Sequence, residues 1–257
     1  MPEILITKNT HVAELLAVLN RDSPEWYGLN ILLGQIAGIQ KQLDTAVHEL
    51  AEVRRGLTDA QQRNHPAKMT LQKAEEAMQQ YVSGLREKLQ RLKEAVVTGC
   101  KNAFSAFREK GNAALAHLSH FFKVQPILET IRSDTEKAAK TAEQAIRAVE
   151  AAGARYHEAG RNLRNAGRAL AGKSDITETK VNGKVVRGMT APFRAARSCF
   201  KEIGKHTEAA LQRLKQLEEK AAKPPRIKKI LRECGKQVER ENRSKRERKE
   251  KNIAHER

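Results

Sequence analysis

Residues 167–174 read G-R-A-L-A-G-K-S, which matches the GxxxxGK(S/T) pattern of phosphate-binding loops. Such a loop holds phosphate when a buried strand precedes it and a helix follows it, because backbone N–H groups and the helix N-terminus then converge on the ligand. Here the order is reversed, since residues 128–170 have a helical pattern. Gly172 suits a helix C-cap, with Lys173 near the negative end of the helix dipole. The sequence therefore predicts a helix end and no nucleotide site.

Two other sets of residues are weak candidates for chemistry. His117 and His120 lie three apart on a predicted helix, but no third ligand is near them, so packing beside Phe121 is favoured over metal binding. Paired carboxylates such as Glu75 and Glu76 fall on predicted solvated faces among Lys and Arg, where no pocket would tune them for acid–base catalysis. We therefore expect no catalytic residue, no cofactor and no metal, and we interpret the protein as not an enzyme.

The cysteines indicate a reducing compartment. Cys100, Cys199 and Cys234 are an odd number at wide spacing, without a CxxC pair or a histidine at ligand spacing. This pattern argues against a disulfide framework and against a zinc site. No N-terminal stretch resembles a signal peptide, and no apolar run reaches the roughly 18 residues that a membrane-spanning helix needs. We expect a cytoplasmic protein.

The strongest pattern in the chain is a heptad repeat in residues 128–170. Apolar residues alternate there at spacings of three and four, which is typical of a helix that lies along a partner helix. Glycine also repeats every seven residues, although each glycine costs about 1 kcal/mol relative to alanine in a helix interior. Small side chains let another backbone approach closely, so the repeat predicts one helix of about 43 residues, about 65 Å long, with a closely packed edge. The larger members of the repeat are Leu128, Ile131, Val149, Tyr156, Leu163 and Leu170, and we assign the helix-packing seam to Ala138, Ala145, Ala152, Gly153, Ala159, Gly160, Ala166 and Gly167.

Similar stripes predict the remaining helices. Thr10 is a candidate N-cap for a short helix that ends near Asn20, and Pro24 suits the first turn of a long second helix. The second helix has an unbroken seam at Leu29, Leu32, Ile36, Ile39, Leu43, Ala46, Leu50, Val53 and Leu57. The third has its stripe at Leu71, Ala74, Met78, Tyr81, Leu85, Leu89, Leu92 and Val96, and is expected to be interrupted at Gly99 and Gly111. A last long helix, beginning at Thr190 and Pro192, has its seam at Phe193, Ala196, Phe200, Ile203, Thr207, Ala210, Leu214 and Leu217.

One stretch departs from this helical pattern. Asn182 and Gly183 stand between β-branched residues, which predicts a two-residue β-hairpin within about residues 174–189.

With only six Phe, three Tyr and one Trp, thin bundled helices fit better than a sheet. The predicted fold class is all-α, an elongated antiparallel coiled coil or helical bundle with one small β-hairpin and a basic C-terminal tail. The predicted divisions are a short N-terminal helix in 1–23, the bundle in 24–222 and a basic, partly disordered tail in 223–257. Each seam can be satisfied by its own chain or by a second one, so an intramolecular bundle and a dimer are both open.

The charge is large and uneven. The formal net charge is +18, and residues 223–257 contain 14 Lys and Arg against 6 Glu. Such a tail can neutralise phosphates through counterion release, and it lacks aromatic residues for base stacking, so a nucleic-acid contact would be to the backbone and independent of sequence. The interleaved glutamates fit a solvated tail equally well. The candidate nucleic-acid contacts are Lys228, Lys229, Arg232, Lys236, Lys245, Arg246, Arg248 and Lys249.

A third kind of partner is suggested by residues 96–122. Most of the phenylalanines of the chain lie there, opposite Lys101, Arg108 and Lys110. This arrangement fits a helix in a membrane interface, and it also fits the cap of a helical bundle, which is the more common role of such a stripe.

Two blocks of sequence resemble a known family. They are AGRNLRNAGRALAGK at 159–173 and APFRAARSCFKEIGKHTEAALQRLKQLE at 191–218, accompanied by ILITKNTHVAELLAVL near the N-terminus. They are similar to a family of uncharacterised, predominantly helical bacterial proteins that occurs with conjugative and other mobile genetic elements. The resemblance covers most of residues 1–220 and leaves the basic tail outside. It implies a bacterial, cytosolic, mobile-element setting and no catalytic residue.

These observations together favour a binding protein. We interpret the chain as a non-catalytic helical scaffold or adaptor whose coiled-coil seams bind a protein partner or a second copy, and as an accessory protein of a bacterial mobile element. The alternative is a sequence-nonspecific nucleic-acid-binding protein that uses the basic tail. A second alternative is a peripheral membrane-surface protein. No small-molecule substrate is expected.

Overall fold

The computed structural model describes residues 6–61, 68–111, 114, 122–177 and 184–222. The chain divides into two units, residues 1–218 and 219–257, and only residues 219–222 of the second unit are described. The described residues are almost entirely helical and contain no strand. A short 3-10 helix at Ile6–Lys8 is followed by α1 (Thr10–Val18), α2 (Pro24–Gln61), α3 (Lys68–Lys110), α4 (Gln125–Leu170) and α5 (Lys184–Ala222).

The four long helices of the first unit form an antiparallel bundle. Arg54 near the end of α2 meets Glu75 near the start of α3, so these two helices are antiparallel. Residues later in α5 contact residues earlier in α2 and in α4, so α5 is antiparallel to both helices. The contacts that show this are His206 with Gly38, Leu217 with Gly28, Arg194 with Glu150 and Arg197 with Glu143. Because α5 contacts both α2 and α4, the four helices bury the core residues within one chain.

The predicted seams of α2 and α3 form the core of this bundle. All the predicted α2 positions from Leu29 to Val53 are buried, and the side chain of Leu57 lies outside the described residues. The α3 stripe is buried as predicted except at Tyr81, which is half-buried, while its neighbour Val82 is buried. Phe200 of α5 is among the largest side chains that are fully buried. Burial of these stripes against one another accounts for the four-helix arrangement.

Helix α1 packs on the same core. Val12 and Leu15 have no exposed surface, and α1 contacts α3. The prediction that Thr10 is the N-cap was wrong by one residue, because the side chain of Asn9 accepts a hydrogen bond from the backbone N–H of His11 at 3.0 Å. An asparagine at this position satisfies one of the free N–H groups of the first turn.

The predicted β-hairpin is not seen among the described residues. Residues 178–183, which include Asn182 and Gly183, lie outside the described residues, but Lys184–Val186, the expected second strand, is the first turn of α5. Val186 is buried against Gly153 of α4, so tertiary packing outweighs the local hairpin signal. Pro192 therefore lies inside the helix and does not begin it.

The expected interruptions of α3 were half right. Gly99 lies within the helix, which is continuous over Lys68–Lys110. Gly111 ends it with a φ of 65°, a left-handed conformation that glycine adopts at little cost. Just before that end, Phe104 and Phe107 are half-buried and pack against the bundle core.

Candidate functional site

The N-terminal part of α4 is an ordinary bundle helix. Its apolar stripe packs against α3 and α5, and the flanks carry ion pairs to both neighbours, such as Lys88 Nζ to Asp134 Oδ2 at 2.7 Å. The predicted seam residues Ala138 and Ala145 are buried, and Ala152 is half-buried against the core. The buried residues of α4 are Leu128, Ile131, Thr135, Ala138, Ala142, Ala145, Ile146, Val149 and Gly153.

Beyond Gly153, α4 continues past the described starts of its two neighbours, α3 and α5. Val186, in the first turn of α5, lies against Gly153, so α5 begins at that level. The Lys88–Asp134 pair sets the register between α3 and α4, and counting along the antiparallel pair places Lys68, the first residue of α3, level with Ala154. Helix α4 therefore extends past the described ends of both neighbours over residues 154–170, about 25 Å of helix. We call Ala154–Leu170 the α4 extension.

The heptad repeat does not stop where the bundle stops. Tyr156, Leu163 and Leu170 continue the buried stripe in register, yet they are 73%, 78% and 93% exposed. The predicted seam residues Ala159, Ala166 and Gly167 are exposed, and Gly160 is half-buried. Soluble proteins leave single apolar residues on the surface, but a row in heptad register that extends a buried seam is not a scattered arrangement. We call Tyr156, Ala159, Leu163, Ala166 and Leu170 the extension seam.

The segment after α4 covers a different side of the extension. The Asn165 side chain accepts a hydrogen bond from the Ile176 N–H at 2.9 Å and donates one to the Ile176 carbonyl at 3.3 Å. Arg168 Nε donates to the Ser174 carbonyl at 2.7 Å. Asn165 and Arg168 lie on the polar side of the helix, so residues 173–177 fold back there and leave the extension seam open.

The three glycines of the repeat differ in their surroundings. A Cβ built on Gly153 would overlap Cγ2 of Val186, so this glycine allows the close approach of α5 that the sequence predicted. A Cβ on Gly160 would meet only Arg164 Nη2 at 4.0 Å, and one on Gly167 would meet nothing within 4 Å. Helix α5 therefore packs closely on the glycine edge at Gly153, while nothing in the described part of the chain packs closely on Gly160 or Gly167.

One row of α4 carries glutamates in the bundle and a histidine and an arginine in the extension. Glu143, Glu150, His157 and Arg164 recur every seven residues, and we call them the flanking row. Its two glutamates accept hydrogen bonds from Arg197 and Arg194 of α5, at 2.7 and 2.6 Å. In the extension the same row becomes imidazole and guanidinium.

In the bundle, both glutamates of the flanking row are paired with arginines of α5. Hydrogen bonds from the guanidinium groups of Arg147 and Arg197 hold the pKa of Glu143 below its ordinary value. By contrast, the extension contains Arg155, Arg161, Arg164 and Arg168 against the single acid Glu158, for a net charge of +3 with histidine neutral. The exposed part of α4 is therefore basic where the buried part is balanced.

The helix end explains the phosphate-loop pattern. Gly172 has a φ of 64°, its N–H donates to the Ala169 carbonyl at 3.0 Å, and the Lys173 N–H donates to the Arg168 carbonyl at 2.9 Å. These two bonds are a Schellman C-cap, as expected for glycine at this position. No strand precedes the loop, and the backbone N–H groups of Gly172 and Lys173 are used by the helix itself. The arrangement lacks the parts that cradle a phosphate.

A model of a family of unknown function, DUF6674, matches residues 8–255. The chain belongs to this family. Comparison with curated proteins and with solved structures gave no match. The DUF6674 match includes most of the basic tail, which lay outside the resemblance drawn from the sequence blocks. The matched range therefore spans the bundle, the α4 extension and most of the tail.

Several predicted site residues fall outside the described part of the DUF6674 chain. These are His117, His120 and the basic residues Lys228, Lys229, Arg232, Lys236, Lys245, Arg246, Arg248 and Lys249. Within the described ranges, no group of three or more His, Cys, Asp or Glu is placed to hold a metal. Among the same residues, no helix is both long and apolar enough to cross a membrane.

Burial determines the surroundings of one glutamate, Glu75, and of two cysteines, Cys100 and Cys199. Glu75 was predicted on a solvated face but is buried, with Arg54 Nε at 3.4 Å and a short hydrogen bond from the Gln79 amide. Cys100 and Cys199 are free and buried, and burial raises the pKa of the Cys100 thiol to about 12. A thiol with so high a pKa is a poor nucleophile and a structural residue.

Proposed function

We propose that the protein is a non-catalytic helical scaffold or adaptor that binds another helix on the extension seam. The observation that carries this proposal is the row of Tyr156, Leu163 and Leu170, which continues a buried heptad seam but is 73–93% exposed. The same register that buries Val149 and Gly153 under neighbouring helices repeats for more than two further heptads. A surface already shaped for helix packing is best filled by a helix.

The bundle gives this surface a rigid base. Helix α4 is continuous from Gln125 to Leu170, so the extension is the end of a helix that is anchored over half its length. An anchored helix loses less conformational entropy on binding than a free peptide, because nucleation of the helix is already complete. A stiff apolar strip on a rigid support is what an adaptor requires.

The setting of this adaptor is also part of the proposal. An association with a bacterial mobile element and a cytoplasmic location are supported by the resemblance of residues 159–173 and 191–218, together with the cysteine usage. The first of these blocks is itself most of the α4 extension.

Site-specific photo-crosslinking in the cells that naturally make the protein tests this proposal. A benzophenone side chain replaces Leu163 on the extension seam in one variant and Ala154, an exposed residue on the opposite side of α4, in a matched control. We expect a protein adduct from position 163 and none from position 154, and we expect Leu170→Glu to abolish the adduct. An absence of adducts at 163, or equal adducts at both positions, would contradict the proposal.

A further inference from the structure

The flanking row of α4 shows which kind of helix fits the extension. In the bundle, Glu143 and Glu150 on this row meet Arg197 and Arg194 of α5. One and two heptads further on, the row carries His157 and Arg164. An occupant that takes the place of α5 beside the extension is therefore complementary when it carries an acidic side chain opposite Arg164, because an arginine there would oppose a like charge and destabilise the helix pair.

The other edge of the extension seam has the same sign. Arg155 precedes Tyr156, on the edge away from the flanking row, and it is exposed. Arg164 Nε donates to the Gly160 carbonyl at 3.2 Å, which holds the guanidinium beside the glycine edge. The extension seam is thus an apolar strip with an arginine on each side, and an apolar helix with acidic flanks is complementary to both.

The glycine pattern gives the shape of the occupant. In the bundle, Cγ2 of Val186 fills the space that a Cβ on Gly153 would take. Gly160 and Gly167 repeat that position, and the described residues leave the corresponding space open. Glycine makes a helix less stable than alanine does, and close packing by a short branched side chain would offset this loss.

Charge also disfavours the other occupants. Two copies of the extension would bring together two segments of net charge +3 each, and residues 223–257 of the chain itself are basic as well. Nucleic acid would match the arginines but would leave the leucines and Tyr156 without apolar partners.

We infer, on the basis of the proposed function, that the occupant of the extension seam is a helix of another protein with an apolar stripe and Glu or Asp on both flanks. It lies along α4 as α5 does in the bundle, with short branched side chains over Gly160 and Gly167.

Two synthetic helices test this inference on the full chain. Both have the same valine and leucine stripe over about three heptads. One carries Glu at the flanking positions and the other carries Lys. Fluorescence anisotropy at low salt should show the Glu helix binding at least about tenfold more tightly than the Lys helix, and the difference should shrink at high salt.

Variants of the protein locate the binding. Leu163→Glu should weaken binding of the Glu helix by about tenfold or more, because it places a charge in the apolar strip. Arg164→Glu should reduce or reverse the preference for the Glu helix. Ala154→Glu, which adds the same charge on the opposite exposed side, should change neither. All these positions are exposed, so circular dichroism should show unchanged melting of the bundle.

Each other result overturns the inference. Binding of neither helix, equal binding of both, or a Glu-helix preference insensitive to Leu163→Glu would do so. A chain that sediments as a dimer and becomes a monomer with Leu163→Glu would identify a second copy as the occupant, which leaves the proposed adaptor function standing. Binding of duplex DNA that is lost with Leu163→Glu would assign the seam to nucleic acid and contradict both proposals.

Discussion

The contact between Gly153 and Val186 marks the level along α4 at which α5 begins. Adding one methyl group at Gly153 tests whether the two helices are this close. Gly153→Ala adds a Cβ that would overlap Cγ2 of Val186. Val186 is 5% exposed and β-branched, so it has little freedom to turn away. Gly204→Ala, at the same α4–α5 interface, is the matched control, because its Cβ would lie 3.6 Å from Thr135 Oγ1, an ordinary contact.

Both substitutions replace a helical glycine by alanine, but only Gly153→Ala also overpacks the interface between α4 and α5. Replacement of a helical glycine by alanine raises the free energy of unfolding by about 1 kcal/mol when there is room. Overpacking of a filled interface costs about 1–3 kcal/mol. Gly204→Ala should therefore stabilise the protein by about 1 kcal/mol. Gly153→Ala should change its stability by between about zero and a loss of about 2 kcal/mol.

Thermal unfolding followed by circular dichroism measures this difference. For a chain of this size, 1 kcal/mol corresponds to roughly 2–4 °C in Tm, so the two variants should melt at least about 2 °C apart. In a Val186→Ala background the overlap is removed, and Gly153→Ala should then raise the melting temperature as Gly204→Ala does. If Gly153→Ala alone stabilises the protein as much as Gly204→Ala, then α5 does not begin against Gly153. The exposed part of α4 would then not start after Gly153.

Three further predictions concern the bundle. Phe200→Ala should lower the free energy of unfolding by about 3–5 kcal/mol in urea titrations, since Phe200 is fully buried, and a loss below about 1 kcal/mol would contradict its place in the core. The lowered pKa of Glu143 means that its contribution is present above its ordinary value of 4.5 and is lost as pH falls through the lower folded value. The melting temperature of Glu143→Gln should accordingly fall less steeply in acid than that of the parent, and parallel curves would contradict the pairing. Cys100, with its pKa near 12, should resist iodoacetamide at about pH 8 in the native protein and react after unfolding, as read by mass spectrometry.

The local patterns of the chain predicted most of its helices. The α2 seam from Leu29 to Val53 is buried at every predicted position, and Gly172 ends α4 with the expected cap. Such features depend on periodicity and on backbone chemistry within a few residues, so they can be read without the fold. The burial of Glu75 could not be predicted in this way, because Arg54 comes from another helix.

The Asn182–Gly183 signal was misleading for the same reason. Hairpin propensity is a local and small effect, whereas Val186 gains full burial by joining the first turn of α5. Only the position of α4 beside that turn made helix the better outcome, and no window of sequence around residue 183 contains that information.

The sequence by itself determined that residues 128–170 form one long helix with an apolar seam, because heptad periodicity is a property of the helix alone. It did not determine what covers that seam. The lengths and registers of α3 and α5 decided this, since both begin level with residues 153–154 and leave Tyr156, Leu163 and Leu170 exposed. A heptad repeat indicates that a helix packs against another helix, but only the tertiary structure shows how far along the repeat α3 and α5 reach.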